Sequence, residues 1–368
     1  MENFILINDN LLLALICWIS YEYNNLKAAR LHKYNEPLQL DEVDLPKPKG
    51  EGVIVRVGAA GVCHSDIHFM HGEWKDALPV NLPLTIGHET AGYVEEVGDS
   101  VQGLAKGDVV AVFGGWGCGV CQSCKGGDEQ LCASPRWPGL SQNDGGYAEY
   151  IHVPTYRFLV NAKGLDPKNI APLTDAGLTP YRAVKKVRHL LNPNSFTLLF
   201  GVGGLGCYAI QYLKLLSPTN VITVVRNDAK ARLAKEMGSD YVINSKNEDV
   251  LSLIKKITGN QGIDVVLDIV SSKETLDTGL ASLRKKGTVV LVGLMGSSFN
   301  VPITQSVLNE YNIIGSLWGN YNELSEVISL ARTGKLKTPI NQFKLNEVGK
   351  AIENLEEGKI QGRAILVP

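Results

Sequence analysis

The spacing of apolar and polar positions changes character along the chain. Residues 53–57, VIVRV, alternate as a half-buried strand does, and 94–97 and 108–113 are further short apolar stretches between glycine-rich turns. This half predicts irregular, mostly antiparallel β structure. Beyond about Pro180 the rhythm becomes strand then helix: SFTLLF at 195–200, a glycine loop, helical AIQYLKLL at 209–216, NVITVV at 220–225 and helical DAKARLAKEMG at 228–238. The apolar runs DVVLDIV and TVVLVG continue it. Such alternation predicts βαβ units on a parallel sheet, so the fold class is α/β with a second, irregular β domain. The final stretch, 318–368, ends in strand-like AILVP and is expected to return to the first half.

Length agrees with that division, since 368 residues exceed what one hydrophobic core normally spans. Formal charge is −2, and no run of Lys or Arg offers a footprint for nucleic acid. The run LLLALICWI at 11–19 is too short to cross a bilayer, which takes about 20 residues. No Lys or Arg precedes Lys27, so the positive stretch of a secretory signal is missing, and the expected compartment is the cytoplasm. Residues 1–26 read as a packing extension, or as an upstream stretch from a misplaced start codon.

The glycine loop is GVGGLG, with Gly201, Gly203, Gly204 and Gly206 between an apolar strand and a helix. That context lets backbone amides and a helix N-terminus hold a pyrophosphate. The alternative is a glycine-rich turn in an unrelated α/β domain. The acidic residue that grips a ribose 2′-hydroxyl should close the second strand; Val225 stands there, followed by Arg226. With no carboxylate to repel a 2′-phosphate and a guanidinium to bind one, NADP is as good an expectation as NAD.

Chemistry-bearing residues gather in two places. CGVCQSCKGGDEQLC supplies Cys118, Cys121, Cys124 and Cys132, a spacing that fits a closed tetrahedral zinc site, with an iron–sulfur cluster as the rival. Four of seven cysteines crowded there favour metal over disulfides. The stretch GVCHSDIH, 61–68, puts Cys63, His64, Ser65, Asp66 and His68 after an apolar strand; His88 and Glu89 follow in TIGHETAG, and Asp175 in APLTDAGLTP. A thiolate, an imidazole and a carboxylate suit a zinc ion that keeps its fourth position open. Taken singly, Cys63 is as well explained as a buried small hydrophobe and Asp175 as a helix cap.

Together these residues resemble the zinc-containing medium-chain alcohol dehydrogenases, especially those of thermophilic archaea. The resemblance runs from about Lys27 to Pro368, and its most specific motif, G-H-E-x-x-G-x5-G, is met by Gly87, His88, Glu89, Gly92 and Gly98. It implies a GroES-like catalytic domain at 27–180, a Rossmann domain at 181–317 and a C-terminal return at 318–368. It further implies Cys63, His88 and Asp175 as catalytic zinc ligands, with Asp175 where many members have cysteine, Glu89 behind the metal, and the four clustered cysteines on a structural zinc. Ser65 matches the hydroxyl that takes the alcohol proton and His68 the imidazole that relays it through the coenzyme ribose, while Asp66 orients a ligand imidazole. His64, Thr179 and Arg363 align with coenzyme contacts. The activity implied is reversible hydride transfer between an alcohol and NAD(P) by a homo-oligomer, commonly a tetramer. Trp116, Leu317 and Trp318 fall near the family's pocket walls, which favours medium, benzylic or cyclic alcohols, with core or subunit-interface packing as an equal reading of the same side chains. The alternatives are a sugar or polyol dehydrogenase, and a non-catalytic, zinc-stabilised nucleotide-binding protein.

Overall fold

The computed structural model describes residues 25–296 and 298–368; the apolar run at 11–19 lies outside them. Sixteen strands form three sheets. β1 (Asn25–Leu31), β2 (Gln39–Asp44) and β4 (Leu84–Thr85) make a small antiparallel sheet. β1 begins two residues before the resemblance does, at Asn25. The second sheet runs β15 (Ile340–Lys344), β16 (Arg363–Val367), β3 (Val53–Val62), β5 (Glu89–Val97), β6 (Val109–Val112) and β8 (Leu159–Asn161), with β7 (Tyr150–Val153) also on β3. It is antiparallel except for β15 and β16. Residues 364–366 pair with 60–62, so the chain's last strand sits beside the strand that delivers GVCHSDIH.

The third sheet is wholly parallel, in the order β11 (Tyr241–Asn244), β10 (Asn220–Val225), β9 (Phe196–Phe200), β12 (Ile263–Asp268), β13 (Leu283–Leu291), β14 (Asn312–Gly315). Numbered within the sheet this is 3-2-1-4-5-6, the doubly wound Rossmann order, which leaves a crevice at the carboxyl ends of β9 and β12, where the order reverses. β9, β10 and β12 are almost entirely buried, which is why they read as continuous apolar runs instead of alternating ones.

Four helices place the site. α1 (His64–Met70) follows β3 directly, with Cys63 as its N-cap and Asp66 returning a carboxylate to the Cys63 N–H. GVCHSDIH is therefore not only a strand end: Ser65, Asp66 and His68 sit on a helix. α2 (Leu178–Val187) opens just after Asp175, α3 (Gly204–Leu216) opens within the glycine loop, and α4 (Asp228–Glu236) follows β10 with Asn227 capping it. No helix among the described residues is long and apolar enough to cross a membrane.

Candidate metal centres and dinucleotide cleft

A cleft of about 1510 Å³ runs between the mixed sheet and the Rossmann sheet. At one end stand Cys63 from the β3–α1 junction, His88 from the start of β5 and Asp175 from the turn before α2. His88 Nε2 lies 3.4 Å from Asp175 Oδ2, and Cys63 Sγ lies 3.7 Å from the same oxygen. Zinc bonds of about 2.3 Å to sulfur and 2.0–2.2 Å to nitrogen and oxygen give tetrahedral edges of roughly 3.4 Å for N···O and 3.6 Å for S···O. The donor set fits one such ion. Glu89 carries a fourth donor within reach, but Arg363 from β16 grips both of its carboxylate oxygens, one at 3.0 Å from Nε.

Supporting contacts orient these donors. Asp66 Oδ1 accepts from His88 Nδ1 at 2.9 Å, so the ring's other nitrogen faces Cys63 and Asp175. Thr179, expected at the coenzyme, donates its hydroxyl to Asp175 Oδ1 at 2.6 Å while also facing the cleft. Burial opposes ionisation of Cys63, but the Arg363 guanidinium and His88 outweigh it and bring the thiol below its usual range. Burial likewise opposes charge on Asp175, and the hydrogen bond from His88, with His88 and Arg363 charge nearby, holds its carboxyl well below the ordinary value.

The cysteine cluster forms a separate lobe. Sγ of Cys121 is 3.5 Å from that of Cys124 and 3.9 Å from that of Cys132, and Cys118 and Cys124 are 4.0 Å apart. A ZnS4 tetrahedron with 2.3 Å bonds has edges of about 3.8 Å, whereas a disulfide is about 2.05 Å and a multi-iron cluster spreads its thiolates around several atoms. The spacing fits one four-coordinate ion. Backbone N–H groups of Cys124 and Ala133 bring the Cys121 thiol down to about 6, poised for a metal. Asp128, within this lobe, binds Arg182 of α2 at 2.9 Å, tying the lobe to the cleft wall that Arg182 lines.

The other end of the cleft is built on the glycine loop. Gly201 has φ +89°, and a β-carbon at Gly206 would come within 2.3 Å of the Gly201 carbonyl, so the absence of a side chain at Gly206 lets α3 pack onto the loop. Cations ring it. Arg363 lies against Gly204, Lys230 of α4 lines the cleft and donates to the Ile360 carbonyl at 2.9 Å, and His64 faces them. Partial burial, with Arg363, His68 and Lys230 nearby, lowers His64 to about 4 and keeps it neutral at pH 7. Val225 and Arg226 line the far wall, where Arg226 is largely exposed and 3.9 Å from Glu274.

Ser65 and His68 face the cleft from α1. Glu73 stands 2.8 Å from His68 Nδ1, and the Trp74 ring stacks on His68 with centroids 5.7 Å apart. Trp318 and Leu317 line the cleft as the sequence indicates. Trp318 adopts φ +46°, donates Nε1–H to the Thr174 carbonyl at 2.9 Å, and stands edge-on to His88. Trp116 does not line it: the ring is 1% exposed and stacked on Phe158, inside the core. Trp137 lies instead against Trp318 at 5.8 Å. The sequence analysis missed Glu73, Trp74, Trp137 and Lys230: none belongs to a motif, and their places against His68, Trp318 and the glycine loop are set by the fold.

Comparison with known proteins gives the family and the fold. A family profile described as "Alcohol dehydrogenase GroES-like domain" matches residues 49–163, and one described as "Zinc-binding dehydrogenase" matches 204–333. An NAD-dependent alcohol dehydrogenase of Sulfurisphaera tokodaii is 43% identical over 350 residues, 93% of this chain and 100% of that protein. A D-arabinose 1-dehydrogenase (NADP(+)) of Saccharolobus solfataricus is 36% identical, covering 93% of this chain and 97% of its own. The crystal structure of an alcohol dehydrogenase from Aeropyrum pernix superposes with a TM-score of 0.88 at 39% identity, covering 93% of this chain and 100% of that one. With full-length relatives at this identity and the same fold in a solved structure, the chain belongs to the zinc-binding alcohol dehydrogenases of the medium-chain kind.

Proposed function

We infer that the chain catalyses reversible hydride transfer between an alcohol and a nicotinamide dinucleotide, with the substrate oxygen at the Cys63, His88 and Asp175 corner. The observation that carries this reading is the meeting, in one cleft, of three donors at tetrahedral spacing and a glycine loop ringed by cations. Zinc held by Cys63, His88 and Asp175 would supply Lewis acidity toward the oxygen, and a dinucleotide along the glycine loop would supply the hydride acceptor. The remaining work falls to side chains. Asp66 fixes His88 in the tautomer whose Nε2 is a ligand. Ser65 Oγ takes the hydroxyl proton of the substrate and His68 carries it toward solvent, its Nδ1 anchored by Glu73. Trp74, Trp137 and Trp318 exclude water and offer ring faces, which supports apolar and benzylic alcohols over polyols.

The four-cysteine lobe is read as structural zinc, since all four positions are filled by thiolates. Arg226 supports use of NADP alongside NAD. A homo-oligomer, with a tetramer as the expected form, is supported by a sheet edge: among the described residues β14 has a partner on one side, and the helix Ile303–Asn309 that precedes it exposes Ile303, Val307 and Leu308. No disulfide joins the six cysteines among the described residues, in keeping with a reducing cytoplasm. The likeness to D-arabinose 1-dehydrogenase keeps sugars as the second substrate reading. A screen of benzylic, secondary and primary alcohols against arabinose, glucose and sorbitol tests it. Turnover of the alcohols is expected, and turnover of sugars alone would contradict the assignment.

A further inference from the structure

Asp66 is fully buried, and its carboxylate accepts from three donors: His88 Nδ1 at 2.9 Å, the Cys63 backbone N–H at 2.9 Å and the Tyr147 hydroxyl at 2.6 Å. Two of these belong to residues of the metal corner. The third comes from 81 positions away, from a ring that is itself fully buried and takes no part in the cleft wall.

Tyr147 cannot drift. Its N–H donates to the Ile86 carbonyl at 3.0 Å and its carbonyl accepts from Ala29 at 2.7 Å. Its ring is wedged against Gly87, the residue before His88, which has φ +99° and where a β-carbon would fall 2.2 Å from the ring. One side chain thus packs on Gly87, next to His88 in the chain, and, through Asp66, holds the His88 imidazole on the other side. Phenylalanine would fill the same volume without bringing a phenol into a dry core, so packing does not account for the hydroxyl.

We propose that Tyr147 is a positioning residue of the Cys63, His88 and Asp175 centre: its hydroxyl pins Asp66 in the orientation that serves His88 and Cys63 together. This rests on reading that centre as a metal site. A buried carboxylate with three donors has little freedom to rotate; with two, the His88 ring gains a soft direction.

The test uses full-length protein loaded with Co2+, whose ligand-field and thiolate charge-transfer bands report the geometry of the site. Loss of part of these bands in His88→Ala establishes the centre, and their indifference to that change would sink the metal reading itself. Given the centre, Tyr147→Phe is expected to shift the bands, to release that cobalt to a chelator roughly tenfold faster, and to lower kcat more than it raises KM. Unchanged bands and release rate would overturn the proposal. In an Asp66→Asn background the Tyr147→Phe effect is expected to vanish, and additive effects would mean that Tyr147 does not act through Asp66. If Tyr147→Phe does not fold, 3-fluorotyrosine placed at 147 alone alters the donor and keeps the ring; shifted bands support the proposal and unshifted ones refute it.

Discussion

Asp66 shows how much one buried carboxylate can organise. Replacing it by alanine takes the acceptor from a ring N–H and a backbone N–H and leaves the Tyr147 phenol only the Gly61 carbonyl at 3.3 Å. We expect Asp66→Ala to cost about 1–3 kcal/mol in urea unfolding and about 10- to 100-fold in retention of the corner's metal against a chelator. At the far wall, Arg226→Ala is expected to raise the KM for NADP(H) at least tenfold, with little change for NAD(H), because a charge-assisted contact to a 2′-phosphate is worth about 1.5–3 kcal/mol. Equal effects on both coenzymes in side-by-side kinetics would remove Arg226 from that role. The residues proposed to hold metal and coenzyme, with Asp66 behind His88, were readable in the chain; Glu73 and Tyr147, which hold His68 and Asp66 in turn, were not. Trp116 and Trp137 look alike as indoles in glycine- and proline-rich stretches, yet one packs on Phe158 in the core and the other on Trp318 in the cleft. Only the fold of the cysteine lobe decides which way each ring points.

Among the elements, the glycine loop and α3 are the most exacting. Gly206→Ala would push a methyl into the Gly201 carbonyl, so the helix must lift from the strand. The expected result is a lower melting temperature together with loss of dinucleotide binding by fluorescence titration; a variant that binds normally would show that this close approach is dispensable. The Rossmann half was legible because buried parallel strands are continuous apolar runs and the loop between β9 and α3 has a fixed glycine spacing. The other half was legible as irregular β structure, but its parallel pair β15 and β16 and the turn of the chain into α1 at Cys63 were not. The pair β15 and β16 is tied to the rest of the sheet only where β16 meets β3, far back in the chain, and at Cys63 the Asp66 carboxylate that accepts from the cap's N–H is also held by His88 and Tyr147 from distant segments.

At the scale of the molecule, the cleft joins parts that no single domain contains. The metal corner comes from the ends of β3 and β5 and the turn before α2, the glycine loop from the Rossmann sheet, and Arg363 from the returning C-terminal strand reaches both Glu89 and Gly204. Among the described residues the Rossmann sheet ends on β14, near exposed Ile303, Val307 and Leu308, so Val307→Lys with Leu308→Glu is expected to reduce the mass of the proposed homo-oligomer in light scattering while leaving the melting of the protomer near its original value. An unchanged mass would place the interface elsewhere. The central claim is that Cys63, His88 and Asp175 share one metal ion distinct from the ion of the four cysteines. Metal analysis of the protein and of His88→Ala, run with alcohol oxidation in the same samples, tests it most directly. Two zinc ions per chain are expected in the parent and one, with turnover at least a thousandfold lower, in the variant; a variant that keeps both metals and its activity would contradict the account.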